Sequence, residues 1–289
     1  MLDSVLPTNS QIRQTLRYAI RQANFAVGPK LRRNFSEADE LKMRDLRDYL
    51  LTAYFPSWYS GILDIVKFSE SEEGRMALNM HMYVRLGMDR YELVPWLNSV
   101  MPLNGARILE IGCGTGSATV ALVEQGARVT ALDVHEEAVR SAALRCAAHG
   151  MSAQLRCDNA AKLSEIFEPG EFDMIFFFAV LEHMTLAERE AALCGAWQLL
   201  QSGQYLCVGE TPNRLWPYDS HTSHLPFFNW LPDEIALRYA KRSPLPSMRE
   251  RFRGEDTPEA RLRLAREGRG VSFHDFDLAL GQGYTIRSD

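Results

Sequence analysis

The stretch "RILEIGCGTGSATVALVEQG", residues 107–126, decides the fold. Arg107 to Ile111 is a short apolar run of the kind that forms a buried strand. Glycines follow at 112, 114 and 116, and a helical pattern from Ser117 to Gln125 is stopped by Gly126. A glycine turn between strand and helix lets the backbone approach a ligand at the carboxyl edge of a sheet. The same alternation continues downstream. Strands are predicted at Arg128–Leu132, Ala153–Cys157, Phe172–Phe178 and Tyr205–Gly209. A helix is predicted over Glu136–His149, and Thr185 with Glu188 forms an S/T-x-x-E capping box opening another that ends near Gly203. This order predicts an α/β fold, a doubly wound and mostly parallel sheet with right-handed crossovers.

The dinucleotide fingerprint G-x-G-x-x-G would place its last glycine where Ser117 stands. The strand also ends in Glu110, whose charge is unfavourable beside a pyrophosphate and suits a cationic ligand. S-adenosylmethionine (SAM), with its sulfonium and α-ammonium and no phosphate, fits better than NAD. Glu110 to Gly116, "EIGCGTG", resembles motif I of the class I, Rossmann-like SAM-dependent methyltransferases. Asp133 in "TALDVH", Asp158-Asn159 in "LRCDNA" and the segment "FDMIFFFAVLEHM" follow in that family's order, so the resemblance covers roughly residues 107–210. It implies SAM as cofactor. It places the methionyl part on Glu110, Gly112, Cys113, Gly114 and Gly116, with Ala179 alongside, the ribose on Asp133 with Val134 next to it, and the adenine on Asp158 and Asn159. The nearest motif match is to the ubiquinone-biosynthesis O-methyltransferases. Some of those bind a divalent ion through E-x-x-E-H, but Ala179 occupies the first Glu position here and leaves only Glu182 and His183, so no metal site is expected.

Residues 1–100 read as an N-terminal helical region, with Ile12 to Ala23 and Leu41 to Ala53 at helical spacing. His81, Tyr83 and Arg85 lie where such helices would cover the SAM carboxylate. Residues 101–212 are the expected cofactor-binding core. Residues 213–289 are expected to supply an aromatic lid, two helices and an edge strand over Val271–Leu280. The lid "TPNRLWPYDSHTSHLPFFNWLP" offers Trp216, Tyr218, Phe227, Phe228 and Trp230 to wall an apolar or planar acceptor. His221, His224 and His183 are the candidate general bases for a hydroxyl acceptor. The pair His221/His224 lacks a third metal ligand.

A formal charge of −5 argues against nucleic acid as partner, and 46% hydrophobic content is ordinary for a globular chain. The Arg-rich stretch Arg249–Arg269 is interleaved with acids and reads as solvated helix faces. Five cysteines with no CxxC pair read as mostly buried, reduced thiols. With no charged-then-apolar leader and no run long enough to span a bilayer, the expected location is cytoplasmic. The expected activity is methyl transfer to a hydroxyl of a small molecule. The alternatives are a non-catalytic SAM-binding subunit, an NAD-dependent oxidoreductase, or a SAM enzyme of different chemistry such as aminopropyl transfer.

Overall fold

The computed structural model describes residues 31–32, 35–58, 65–254, 256–281 and 284–285. The helical repeat over Ile12–Ala23 lies outside these residues. Helix α1 (Glu40–Tyr49) starts at Asp39, whose carboxylate accepts from the amides of Leu41 and Lys42. A second helical stretch, α2, runs from Glu72 through Val100. Five strands follow: β1 (Arg107–Ile111), β2 (Arg128–Asp133), β3 (Gln154–Cys157), β4 (Met174–Phe178) and β5 (Tyr205–Gly209). They pair in the order β3-β2-β1-β4-β5, and every pair is parallel. The connecting helices are α3 (Ser117–Glu124), α4 (Glu136–Ala148) and α5 (Leu186–Leu199), the last opened by the Thr185/Glu188 capping box.

The two-residue period of β4 divides the core. Met174 and Phe176 point to one face, where they join Ile108, Val120 of α3 and Leu93 and Leu97 of α2. Ile175 and Phe177 point to the other, with Leu109, Ile111 and Leu193 and Ala196 of α5. A strand apolar on both faces is what a central parallel strand requires. Met43 and Leu46 of α1 pack with Ala138 and Ala148 of α4 in a third cluster. The chain beyond β5 builds its own small core from Leu225, Phe228, Leu237, Met248, Phe252 and Leu264. It includes helices α6 (Asp233–Ala240) and α7 (Pro258–Ala265).

The expected edge strand over Val271–Leu280 is corrected. Only Val271 touches extended backbone, in an isolated parallel bridge with Asn213. Phe273–Leu280 is a helix, α8, opened by a capping box in which Asp275 accepts from the Ser272 amide at 2.7 Å. Its Phe276 and Ala279 pack on the α5 side of the sheet, and Asp275 pairs with buried Arg189 at 2.9 Å. The apolar residues of "VSFHDFDLAL" therefore follow the helical period, and Ser272-x-x-Asp275 was the signal that the alternation concealed. The thiols divide as well: Cys113, Cys146 and Cys207 are buried, whereas Cys157 is exposed. Among the described residues no helix is long and apolar enough to cross a membrane.

Candidate functional site

The strand order reverses between β1 and β4, so the loops leaving these two strands part at the carboxyl edge and leave a crevice. The three glycines of the first loop all have left-handed backbone, with φ of +78° at Gly112, +49° at Gly114 and +77° at Gly116. Each serves a different need. A Cβ at Gly112 would lie 2.2 Å from Cγ2 of Val180 in the loop after β4, and one at Gly116 would lie 2.7 Å from Cα of Ala142 in α4. Gly112 thus lets the two loops meet, and Gly116 lets α4 pack. At Gly114 nothing lies within 4 Å, so this is where bare backbone faces open space.

Asp133 ends β2 beside this loop. One carboxylate oxygen accepts from the Gly114 amide and the other from the His135 amide, each at 3.0 Å. Burial raises its pKa against those two bonds. Each oxygen still has a lone pair for a ligand hydroxyl. Val134, next in sequence, is an exposed apolar side chain. At the end of β3, Asp158 is paired with Arg156 at 2.7 Å, and Asn159 caps a short turn by accepting from the Ala161 amide.

Glu110 shares the Ile108 face of β1 and lies beneath the loop, almost wholly buried. Its Oε2 accepts from the Thr119 hydroxyl at 2.6 Å, and burial pushes its carboxyl up to about 8. Asp89 of α2 is buried close by, with its pKa raised to about 6 by burial, and its Oδ2 has no hydrogen-bond partner. The third buried charge, Arg145 of α4, gave no sequence signal. Its Nε donates to the Thr115 carbonyl of the glycine loop at 2.6 Å, and its Nη atoms donate to the carbonyls of Met82, at 3.0 Å, and His81. The guanidinium thereby fastens α2 to the loop. His81 itself is packed edge-on against Tyr54 and Phe55, and burial lowers its pKa to about 3, so it stays neutral.

Ala179, at φ +54°, turns the chain after β4 into the short helical turn Leu181–His183. Glu182 is fully buried: Oε2 accepts from the Thr211 hydroxyl at 3.0 Å, while Oε1 has no hydrogen bond and faces His183 Nε2 at 3.9 Å. His183 Nδ1 lies 2.9 Å from the Arg266 carbonyl, which only accepts, so Nδ1 is the donor there and Nε2 is the nitrogen turned toward Glu182. The His221 ring stands 6.4 Å away, its Nδ1 on the Thr222 hydroxyl at 3.1 Å. His224 is half-buried with φ +53°. Asp219, next to these histidines, is occupied by the amides of His221, Thr222 and Ser223 and the Ser223 hydroxyl, so it shapes the loop. Of the five lid aromatics, Phe228 is in the core and cannot line a cleft, whereas Trp216, Tyr218, Phe227 and Trp230 are about half exposed or more. Among the described residues no cluster of three or more His, Cys, Asp or Glu is placed to hold a metal ion.

Residues 108–203 match a family model described as a methyltransferase domain. Among curated proteins, the chain is 36% identical over 122 residues to a ubiquinone biosynthesis O-methyltransferase of Xylella fastidiosa, covering 41% of this chain and 47% of that one. A protein of the same name from Ralstonia nicotianae is 33% identical over 89 residues, covering 31% and 37%. The chain thus spans about half the length, or less, of these curated relatives. Among solved structures it is similar to a magnesium protoporphyrin IX methyltransferase from Synechocystis with bound SAM (TM-score 0.39, 21% identity, 57% of this chain and 79% of that one). It is also similar to a SAM-dependent methyltransferase from Methanosarcina mazei (TM-score 0.42, 22% identity, 64% and 82%).

Proposed function

We propose that this chain, whose residues 108–203 match a methyltransferase domain, methylates a hydroxyl group of a small molecule with SAM as donor. The observation that carries the reading is the pairing of Gly114, open to space, with Asp133, whose carboxylate is held on the Gly114 amide. When bound, SAM supplies an electrophilic methyl group on its sulfonium. Everything else falls to the chain's own residues.

Asp133 would hold the ribose hydroxyls, since its two oxygens are oriented by backbone amides and each keeps a lone pair. Asp158 and Asn159, with Val134 alongside, would border the adenine. The glycine loop would carry the methionyl part, with Ala179 and Cys113 flanking it. Glu110 and Asp89 lie close to that loop. Their raised pKa values mark carboxyls whose ionisation a neighbouring cation would favour, and such a surrounding suits a sulfonium and ammonium better than a pyrophosphate.

Of the three histidines, the geometry favours His183 as base for the acceptor hydroxyl. Its Nδ1 is held on the Arg266 carbonyl, which fixes the ring, and its Nε2, 3.9 Å from Oε1 of buried Glu182, would take the proton of the hydroxyl. His221, also with Nδ1 engaged, stands second; His224 makes no comparable orienting contact among the described residues. The apolar acceptor would meet the exposed members of the lid, and the acceptor class is supported by the names of the curated relatives.

Calorimetric titration of the purified chain with SAM, S-adenosylhomocysteine and NAD tests the reading. Micromolar binding of the first two and none of NAD is expected. Binding of NAD in preference would replace methyl transfer by the oxidoreductase alternative.

A further inference from the structure

A helix outside the matched domain brings a buried carboxyl to the crevice. Asp89, in α2, is 3% exposed, and its Oδ2 has no hydrogen-bond partner. A buried carboxylate oxygen is ordinarily matched, so an unmatched one beside a cleft points to a ligand group with a donor. Its surroundings fix where it lies. Ser117, the first residue of α3, stands against its carboxyl, and the charges of Glu110 in β1 and of Glu210, just after β5, act on it. Asp89 therefore meets the end of the glycine loop and the carboxyl ends of the strands from the α2 side.

Neither nearby cation closes on it. Arg145 directs its guanidinium to the carbonyls of Thr115, Met82 and His81. Arg85 stands one helical turn before Asp89, the i,i+4 spacing at which such a pair ordinarily bonds. Its field reaches Asp89, yet no ion pair joins the two. Arg85 is exposed and pairs with no carboxylate among the described residues. A carboxylate and a guanidinium one turn apart, beside one cleft and unpaired, match a ligand group that carries both signs. An α-amino acid is such a group, with an ammonium for Asp89 and a carboxylate for Arg85.

We propose that Arg85 and Asp89 clamp the amino-acid end of the donor, so that the chain selects SAM with its α-carboxylate intact. The clamp rests on the reading of the glycine loop as a SAM site. It lies in α2, before the matched residues 108–203, so that match does not contain it. It also separates two chemistries open to a SAM enzyme. An aminopropyl donor has lost the α-carboxylate and would leave Arg85 without its ligand, whereas a methyl donor retains both charges. Because Asp89 is buried, its attraction for the ammonium is screened little by water. Exposed Arg85 supplies the weaker, more screened half.

The experiment is calorimetry of the full chain with three ligands: SAM, decarboxylated SAM, and 5′-methylthioadenosine, which lacks the amino-acid chain altogether. The unaltered chain should bind SAM roughly tenfold or more tighter than decarboxylated SAM. R85Q should weaken SAM to about the level of decarboxylated SAM and leave the latter unchanged. D89N should weaken both by roughly tenfold or more. Neither variant should alter binding of 5′-methylthioadenosine, which also reports that the adenosine side of the site is intact. R85Q changes an exposed position, so the test stands even if D89N disturbs the fold. Equal affinity of the unaltered chain for SAM and decarboxylated SAM overturns the clamp, as does unchanged SAM affinity in R85Q. A loss for 5′-methylthioadenosine as large as that for SAM would make these residues supports of the loop and overturns it too. If the unaltered chain binds none of the three, the SAM reading itself fails and the clamp falls with it.

Discussion

The three glycines of the first loop allow a test in which one substitution type has two separable consequences. Alanine at position 112, 114 or 116 forces a side chain into left-handed backbone, which costs roughly 1–2 kcal/mol at each. Beyond that shared cost the positions differ. The new methyl at 116 would lie 2.7 Å from the Cα of Ala142, which cannot move without shifting α4. Overpacking of that kind adds about 1–3 kcal/mol, so Gly116→Ala should lose about 2–5 kcal/mol of folding stability in all. At 114 the methyl meets nothing, so Gly114→Ala should lose only the backbone cost. Its methyl instead enters the space proposed for the cofactor, and SAM affinity should fall at least tenfold, about 1.4 kcal/mol. Urea unfolding gives the first quantity and calorimetry the second. If Gly114→Ala binds SAM like the unaltered chain, the open side of the loop is not the ligand face. If Gly116→Ala is no less stable than Gly114→Ala, the packing account of the third glycine is wrong.

Removing the buried guanidinium by Arg145→Met leaves the carbonyls of Thr115, Met82 and His81 without their donor, and urea unfolding should show a loss of about 3 kcal/mol or more. A loss under about 1 kcal/mol would mean that the contact between α2 and the glycine loop holds without it. Burial keeps the Glu110 carboxyl at about 8 in the folded protein against an ordinary 4.5, so between these values the unfolded chain binds fewer protons and stability falls as pH rises through the window. Glu110→Gln should flatten that decline; a slope unchanged by the substitution would reassign it to other groups. Asp133→Ala should weaken SAM by about 1.5–3 kcal/mol, the scale of hydrogen bonds to a charged group, and calorimetry showing unaltered affinity in a folded variant would remove Asp133 from the ribose position. His183→Ala should slow turnover of a hydroxyl acceptor by roughly 10²-fold or more with SAM affinity kept, whereas His221→Ala should slow it less. The reverse ranking in steady-state assays would move the base to the lid.

What the sequence determined by itself is the frame of the site. Left-handed glycines, capping boxes and apolar runs are local signals, each complete within a few residues, and they placed β1 and β5 at their observed bounds and the Gly112–Gly116 loop at the carboxyl edge. Asp133 was legible for the same reason, as the residue that closes a strand. Among the described residues the period was misread at Val271–Leu280, where too few apolar residues separated a strand from a helix and the Ser272 cap was the better guide. The tertiary structure alone decided which charges are buried. Nothing near Arg145 in the chain announces that its guanidinium will bond to Met82, 63 residues away, or that Glu110 will be sealed beneath the loop it introduces. It also sent Phe228 into the core while leaving Phe227 outside. Burial depends on contacts between distant segments, and side chains of one composition receive opposite environments once those segments pack.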